Sequence, residues 1–379
     1  MWLSDGSVIL ATHDMLFRVH KSQLARHSVV FRDMFAMPAP VCTSPPSTEP
    51  LEGCDVVHLH DAWQDVESLL HALYDGPSFG NNNEADFAVV SGILRLSNKY
   101  LIEPLRSRCI AHLSVAWPPT LTGWDAREEF AERALRGVQS PRSDGSMPAT
   151  PPADVLHPFD RTHSYYPHAS RVLALAREVG ATALLPSAFY DLTRYSFAQL
   201  LSSSVASSLS LGGSPRASLD AIGIPDVDPS QDTLELAPAD FRRLALGKEA
   251  ASLHILSLIR SMSAIRSLGH AHAHSHSGGH GHLHTRPPLC STPAACRKDF
   301  VELAEMATQH YVLDRHYGNA DPLYVADEVG QLKSAELGSQ TECRACGLAL
   351  EAWAQRERER IWRLLPSWFR LDGWDNPLS

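Results

Sequence analysis

Residues 5–35 decide the reading: Asp5-Gly6-Ser7-Val8-Ile9-Leu10, then Phe17-Arg18-Val19-His20-Lys21-Ser22-Gln23-Leu24-Ala25, then Ser28-Val29-Val30-Phe31 and Met34-Phe35. Val8-Ile9-Leu10 is a short apolar run, and Met15, Phe17 and Val19 alternate at the period of two of a half-buried strand. His13-Asp14 supplies turn material between them, so residues 4–20 are predicted to form a hairpin. From Lys21 the period changes, and Leu24, Ser28, Phe31 and Phe35 fall on one face of a helix. Ser22 stands where it can cap that helix's first turn. His20 is expected to pack at the strand-to-helix junction and bond backbone, and Asp5 to be a buried turn-former bonding backbone amides. Neither reads as a catalytic group.

Outward from this stretch, Pro38, Pro40, Pro45, Pro46 and Pro50 rule out a regular element, so residues 38–54 read as an exposed loop. Residues 54–60 read as a further strand. Three helices follow, marked by Trp63, Val66, Leu69, Leu70 and Leu73, by Phe87, Val90, Ile93 and Leu94, and by Ile102, Leu105, Cys109 and Leu113. Asp75-Gly76-Pro77 ends the first and Trp117-Pro118-Pro119 the last. Strands first and helices later predict an α+β domain. Phe31, Phe35, Leu70, Leu73 and Leu94 are its predicted buried cluster.

These blocks resemble the BTB/POZ domain. Alongside the opening stretch, Leu69-Leu70-His71-Ala72-Leu73-Tyr74-Asp75-Gly76, Leu94-Arg95-Leu96-Ser97-Asn98-Lys99-Tyr100 and Leu105-Arg106-Ser107-Arg108-Cys109 resemble its later helices in order and spacing. The resemblance covers residues 4–116, and its motif positions here are Asp5, His20, Lys21, Leu24, Ser28, Phe31, Phe35, Tyr74, Lys99 and Tyr100. It implies protein–protein recognition: self-association, a cullin scaffold of a ubiquitin ligase, or a transcriptional co-regulator. Family dimers of the transcription-factor type are tied by elements preceding the Asp-Gly-Ser block. So few residues precede it here that a heterotypic contact is as open as strand exchange. More loosely, Ala176-Arg177-Glu178, Leu185-Pro186-Ser187-Ala188-Phe189-Tyr190 and Ile361-Trp362-Arg363-Leu364-Leu365-Pro366 are similar to BTB-domain proteins expanded in mushroom-forming fungi.

Composition narrows the alternatives. The net charge is −10 over 379 residues and the basic residues form no dense patch, which argues against nucleic acid as a partner. No apolar run approaches the roughly 20 residues of a membrane span, and the first residues carry no secretory signal. Seven Cys spread over the chain do not look like a disulfide framework, so cytoplasm or nucleus is the expected compartment.

Beyond the first domain, residues 117–168 read as a linker with a possible short helix, and 169–268 as a helical region interrupted at 202–232 by a loop rich in Ser, Gly and Pro. Its later part carries Phe241, Leu244, Leu246, Leu253, Leu256 and Ile259. Residues 269–289 are a His/Gly-rich linker, and 290–379 a helical region with blocks at 297–315 and 347–365. The charges of Arg356–Arg360 read as a solvated face. No internal repeat is found.

Two constellations have metal-ligand character. Residues 270–284 hold seven His (His270, His272, His274, His276, His280, His282 and His284), a low-complexity tract that can hold metal loosely. Cys290 and Cys296, with the C-x-x-C of Cys343 and Cys346, offer four thiolates in two pairs, enough to close a tetrahedral structural zinc site. Each pair precedes a helical pattern, where thiolates are favoured, so all four sulfurs are expected to converge on one ion. Free, partly buried thiols and a redox C-x-x-C are the other readings. No His follows Cys346, which excludes a C2H2 finger, and the chain has no phosphate loop, Gly-x-Ser-x-Gly elbow or His-Glu-x-x-His. The expectation is a non-enzymatic adaptor or scaffold; a metal-responsive regulator using the Cys pairs or His tract is the alternative.

Overall fold

The computed structural model describes residues 1–37, 51–138, 165–197, 200, 236–262, 290, 292–313, 320–335 and 343–371. The expected loop at 202–232 and His tract at 270–284 lie outside the described residues, as do 38–50 of the Pro-rich stretch and 139–164 of the expected linker. The chain divides into two compact units, Met1–Leu185 and Pro186–Ser379.

The first unit is α+β, as predicted. Strands β1 (Val8–Ala11), β2 (Leu16–Val19) and β3 (Asp55–His58) form a sheet of order β2-β1-β3. β1 runs antiparallel to β2, with Val8 opposite Val19, and parallel to β3, with Val8 opposite Asp55. A parallel neighbour needs a crossover, and helices α1 (Lys21–His27) and α2 (Val29–Ala36) lie within it. The predicted single helix is therefore broken. Ser28 is extended (φ −122°, ψ 123°), and its hydroxyl caps α2 by accepting the Phe31 N–H at 3.1 Å. The 3.6-residue period runs through a residue that ends one helix and starts the next. Ser22 is not the cap of α1 either; the Lys21 N–H donates to the Ser7 hydroxyl at 3.0 Å.

Helices α3 (Trp63–Tyr74), α4 (Glu84–Lys99) and α5 (Glu103–Ala116) agree with the periodicity that predicted them. α4 lies so close to α3 that a methyl at Gly92 would collide with Asp65. Phe31, Leu70, Leu73 and Leu94 are buried, whereas Phe35, expected among them, is half-buried. Its ring stacks on that of Phe31, with centroids 6.0 Å apart, next to the last residue of α2.

The compact unit continues past the expected boundary at 116. Helix α6 (Leu121–Val138) occupies much of the expected linker, and α7 (Ala169–Glu178) follows the undescribed segment. Buried Trp117 lies edge-on to Phe87 and Tyr166, at 6.3 and 6.0 Å. The Arg127 guanidinium lies 4.5 Å from the Trp124 ring centre and 4.6 Å from that of Tyr166. Arg95 pairs with Glu178 at 3.0 Å, and Arg106 donates to the Val179 carbonyl at 3.0 Å. These groups extend the core and tie α7 to the earlier helices.

The elements of the second unit among its described residues are helices: α8 (Leu185–Thr193), α9 (Pro238–Met262), α10 (Pro293–Thr308) with a wider turn at Gln309–Leu313, α11 (Pro322–Ala335) and α12 (Arg344–Trp368). α9 buries Leu244, Ala251, Ile255, Leu258, Ile259 and Met262, while Leu246, Leu253 and Leu256 of the expected pattern are exposed on its other side. Gly247 on the buried face makes room for the Phe369 ring, which stacks on Phe189 at 5.1 Å. α11 was not foreseen. Its start carries a readable signal: Asp321 caps it by accepting the Tyr324 N–H at 3.0 Å, and Pro322 opens the first turn. The run Arg356–Arg360 is only partly solvated, since Glu357 and Arg358 are half-buried and face His254 (3.8 Å) and Asp327 (3.5 Å).

Candidate functional site

In the N-terminal unit, the motif residues hold the domain together. His20 is half-buried; its Nδ1 lies 3.1 Å from the Tyr74 hydroxyl and its Nε2 3.2 Å from the Asp5 carboxylate. Its backbone N–H also donates to that hydroxyl, at 2.9 Å. The ring therefore bonds side chains rather than the backbone it was expected to meet. Asp5 is not buried: its side chain is 81% exposed, and the bond from His20 holds its carboxyl below the ordinary value. Lys21 reaches Asp55 at 2.5 Å and lies 5.9 Å from the Phe35 ring centre, and Leu24 is fully buried.

A second group forms at the end of α4. The Ser28 hydroxyl donates to the Tyr100 carbonyl at 2.6 Å while capping α2. Lys99 and the Tyr100 hydroxyl both bond Asp61, at 2.6 and 2.5 Å. Burial, and then the Asp61 carboxylate, push the Tyr100 phenol far above its ordinary range, so it stays a donor. Phe31 stacks on Tyr100 at 4.5 Å. Each of the ten motif residues thus bonds or packs within the domain.

In the second unit the four predicted cysteines come together. Their sulfurs all lie within 4.8 Å of one another, and Cys290 and Cys296 are 3.7 Å apart. Four sulfurs about 2.3 Å from one ion stand about 3.8 Å apart in a tetrahedron, so these four are close enough together that they could hold a metal ion. Helix starts produce the convergence. Cys296 sits in the first turn of α10, after the Thr292-Pro293 start, and Cys343 is the residue before α12, with Cys346 in its first turn. The N-terminal ends of both helices favour negative charge. Cys296, Cys343 and Cys346 are buried and Cys290 is half-buried. Burial foremost, and then bonds from neighbouring thiols, raise the thiols of Cys290 and Cys346, so burial disfavours the thiolate form of these two. A thiophilic dication reverses that balance by binding the thiolates. The residue that sequence reading missed is Thr292, whose hydroxyl lies 3.6 Å from the Cys296 sulfur. Its place before Pro293, as the residue preceding a helix, is the signal that marks it.

A three-stranded sheet with paired helices is held by polar clamps whose members bond one another within the domain. In the family comparison, residues 4–115 match the BTB/POZ domain. Such domains are generally interaction modules rather than enzymes, and mediate protein–protein contacts and self-association. The match ends inside the first compact unit, before α6 and α7. No curated protein and no solved structure matches the chain. No helix among the described residues is long and apolar enough to cross a membrane.

Proposed function

We propose that the protein is a non-enzymatic adaptor whose N-terminal unit docks partner proteins in ubiquitin-ligase assembly or transcriptional regulation. The BTB/POZ match at 4–115, on a fold whose motif residues are all used structurally, carries this reading. Six free cysteines among the described residues fit a reducing cytoplasm or nucleus. The looser similarity of 176–178, 185–190 and 361–366 supports a place among the BTB proteins of mushroom-forming fungi. The test uses the full chain in light-scattering chromatography and in binding to a purified cullin N-terminal region. Saturable cullin binding selects ubiquitin-ligase assembly. Self-association without cullin binding favours the transcriptional role. A strict monomer that captures neither a cullin nor a co-regulator contradicts the adaptor reading.

The second part of the proposal is that Cys290, Cys296, Cys343 and Cys346 hold one structural zinc joining the starts of α10 and α12. Four protein thiolates leave no open position for a substrate or water, which favours a structural over a catalytic ion. Cobalt(II) substitution tests it: thiolate-to-cobalt charge-transfer bands should appear in the full chain and vanish in Cys343→Ser/Cys346→Ser. Imidazole ligands do not give those bands. The alternative, a metal-responsive regulator, draws on the same cluster; it requires exchange at free-zinc levels that vary in the cell, so a zinc affinity too tight for such exchange decides against it.

A further inference from the structure

Building on the zinc reading, we propose that Cys290 and Cys296 are an oxidation site, at which a hydroperoxide forms a disulfide and expels the zinc. Three of the four cysteines are buried; Cys290 is half-buried and precedes α10 rather than lying within it. A small oxidant arriving from solvent therefore meets the Cys290 sulfur first. The Cys296 sulfur is 3.7 Å away, and a disulfide of about 2.05 Å needs the pair to close by less than 2 Å. Cys290 can make that movement without unwinding a helical turn. Cys343 and Cys346 share a different situation: both are buried, and the Cys346 N–H is bonded to the Cys343 carbonyl at 3.1 Å.

The chemistry balances with a hydroperoxide as the sole oxidant. The Cys290 thiolate attacks one peroxide oxygen, the O–O bond breaks, and Cys290 becomes a sulfenic acid as hydroxide leaves. The Cys296 thiolate then attacks the Cys290 sulfur, the S–S bond forms, and a second hydroxide leaves. Two thiolates have lost two electrons in total, and the peroxide is reduced to two hydroxides that take up protons as water. The zinc retains two thiolates of four and departs as the aqueous ion. The link between the starts of α10 and α12 goes with it, so oxidant level sets the order of the second unit.

The experiment takes the zinc-loaded full chain, strips imidazole-bound metal with a weak chelator, and adds hydrogen peroxide. Zinc release is followed with a colorimetric chelator, and disulfides are located by differential alkylation and mass spectrometry. The expected result is loss of about one zinc per chain, matched by one Cys290–Cys296 disulfide and reversed by thiol reductant with added zinc. A chain without thiolate-bound zinc before peroxide overturns the zinc reading and this inference with it. A zinc-loaded chain that keeps its metal under peroxide, or whose disulfide joins Cys343 to Cys346, overturns the oxidation site alone.

Discussion

The two units are held together in different ways. In Met1–Leu185 the sheet and its helices enclose apolar side chains that recur at regular spacing, and the polar motif residues clamp elements around that core. In Pro186–Ser379 the described helices come from well-separated stretches, and buried polar and sulfur-bearing groups tie them in addition to an apolar core. The Tyr190 hydroxyl donates to Asp321 at 2.5 Å across 131 residues of sequence. Arg194 faces the same carboxylate at 3.0 Å and Asp191 at 3.3 Å, all three side chains being less than 10% exposed. Lys248 donates to the Thr193 and Tyr195 carbonyls, both at 2.6 Å, although burial draws its ammonium down to about 8. Apolar periodicity suffices where elements are short and close in sequence. Where long segments must be closed, a cross-link between distant points counts for more.

The largest expected effect comes from removing the proposed cross-link. Structural zinc contributes on the order of 10 kcal/mol in small zinc domains, and a comparable loss is expected here. After chelation, hydrogen exchange should rise across 293–313 and 344–368 while protection in residues 1–138 is retained. Equal loosening of both units on chelation would erase the contrast between them.

Single substitutions come next. Phe31→Ala empties a fully packed site and should cost the first unit about 3–5 kcal/mol in denaturant unfolding. The same truncation at half-buried Phe35 should cost less than that, and an equal or larger loss there would mean that its ring is packed as fully as that of Phe31. In the second unit, Asp321→Ala takes one of two carboxylates from the buried Arg194 guanidinium and removes the α11 cap, for a loss of about 3–5 kcal/mol. Asp321→Asn, which can keep the cap and volume, should lose less. If both variants unfold like the parent chain, polar tethering is not what holds this unit.

How much of this was legible follows the same division. β1, β2 and α3 to α5 could be read because local periodicity and the motif blocks agree. Ser28 misled because its position fits the helical period while its hydroxyl serves two other partners, the Phe31 N–H and the Tyr100 carbonyl. Asp5 was legible as a turn residue but not as the exposed partner of His20. The Cys quartet was legible as a candidate because thiols in pairs before helices are few enough to enumerate. The Tyr190–Arg194–Asp321 network was not: a Tyr, an Arg and an Asp so far apart carry no local mark of being one another's partners.

The smallest effect concerns acid, and it separates the two kinds of construction. Asp86 lies in the first turn of α4, where its backbone N–H is capped by Asn83 at 2.9 Å. Its carboxylate accepts the Gly80 and Asn82 N–H groups, at 2.6 and 2.7 Å, and contacts His112 Nε2 at 2.7 Å. Burial pushes this carboxyl upward, but the bonds from Gly80, His112 and Asn82 outweigh it and hold the group below its ordinary 3.8. The folded value is therefore lower than the unfolded one. The stabilisation is present above pH 3.8 and is lost as pH falls through the folded value. Acid also strips a thiolate-bound zinc, because protons compete for the sulfurs, so the whole chain's melting curve mixes two causes. Asp86→Asn separates them. The variant should start with a less stable first unit, because the charge-assisted bonds are gone, and then lose less than the parent chain on further acidification. Exchange protection in α4 and α5 reads that difference directly, while exchange in α10 and α12 should follow zinc loss equally in both proteins. Parallel loss of α4 protection in parent and variant below about pH 4 would mean that Asp86 is not the titrating group.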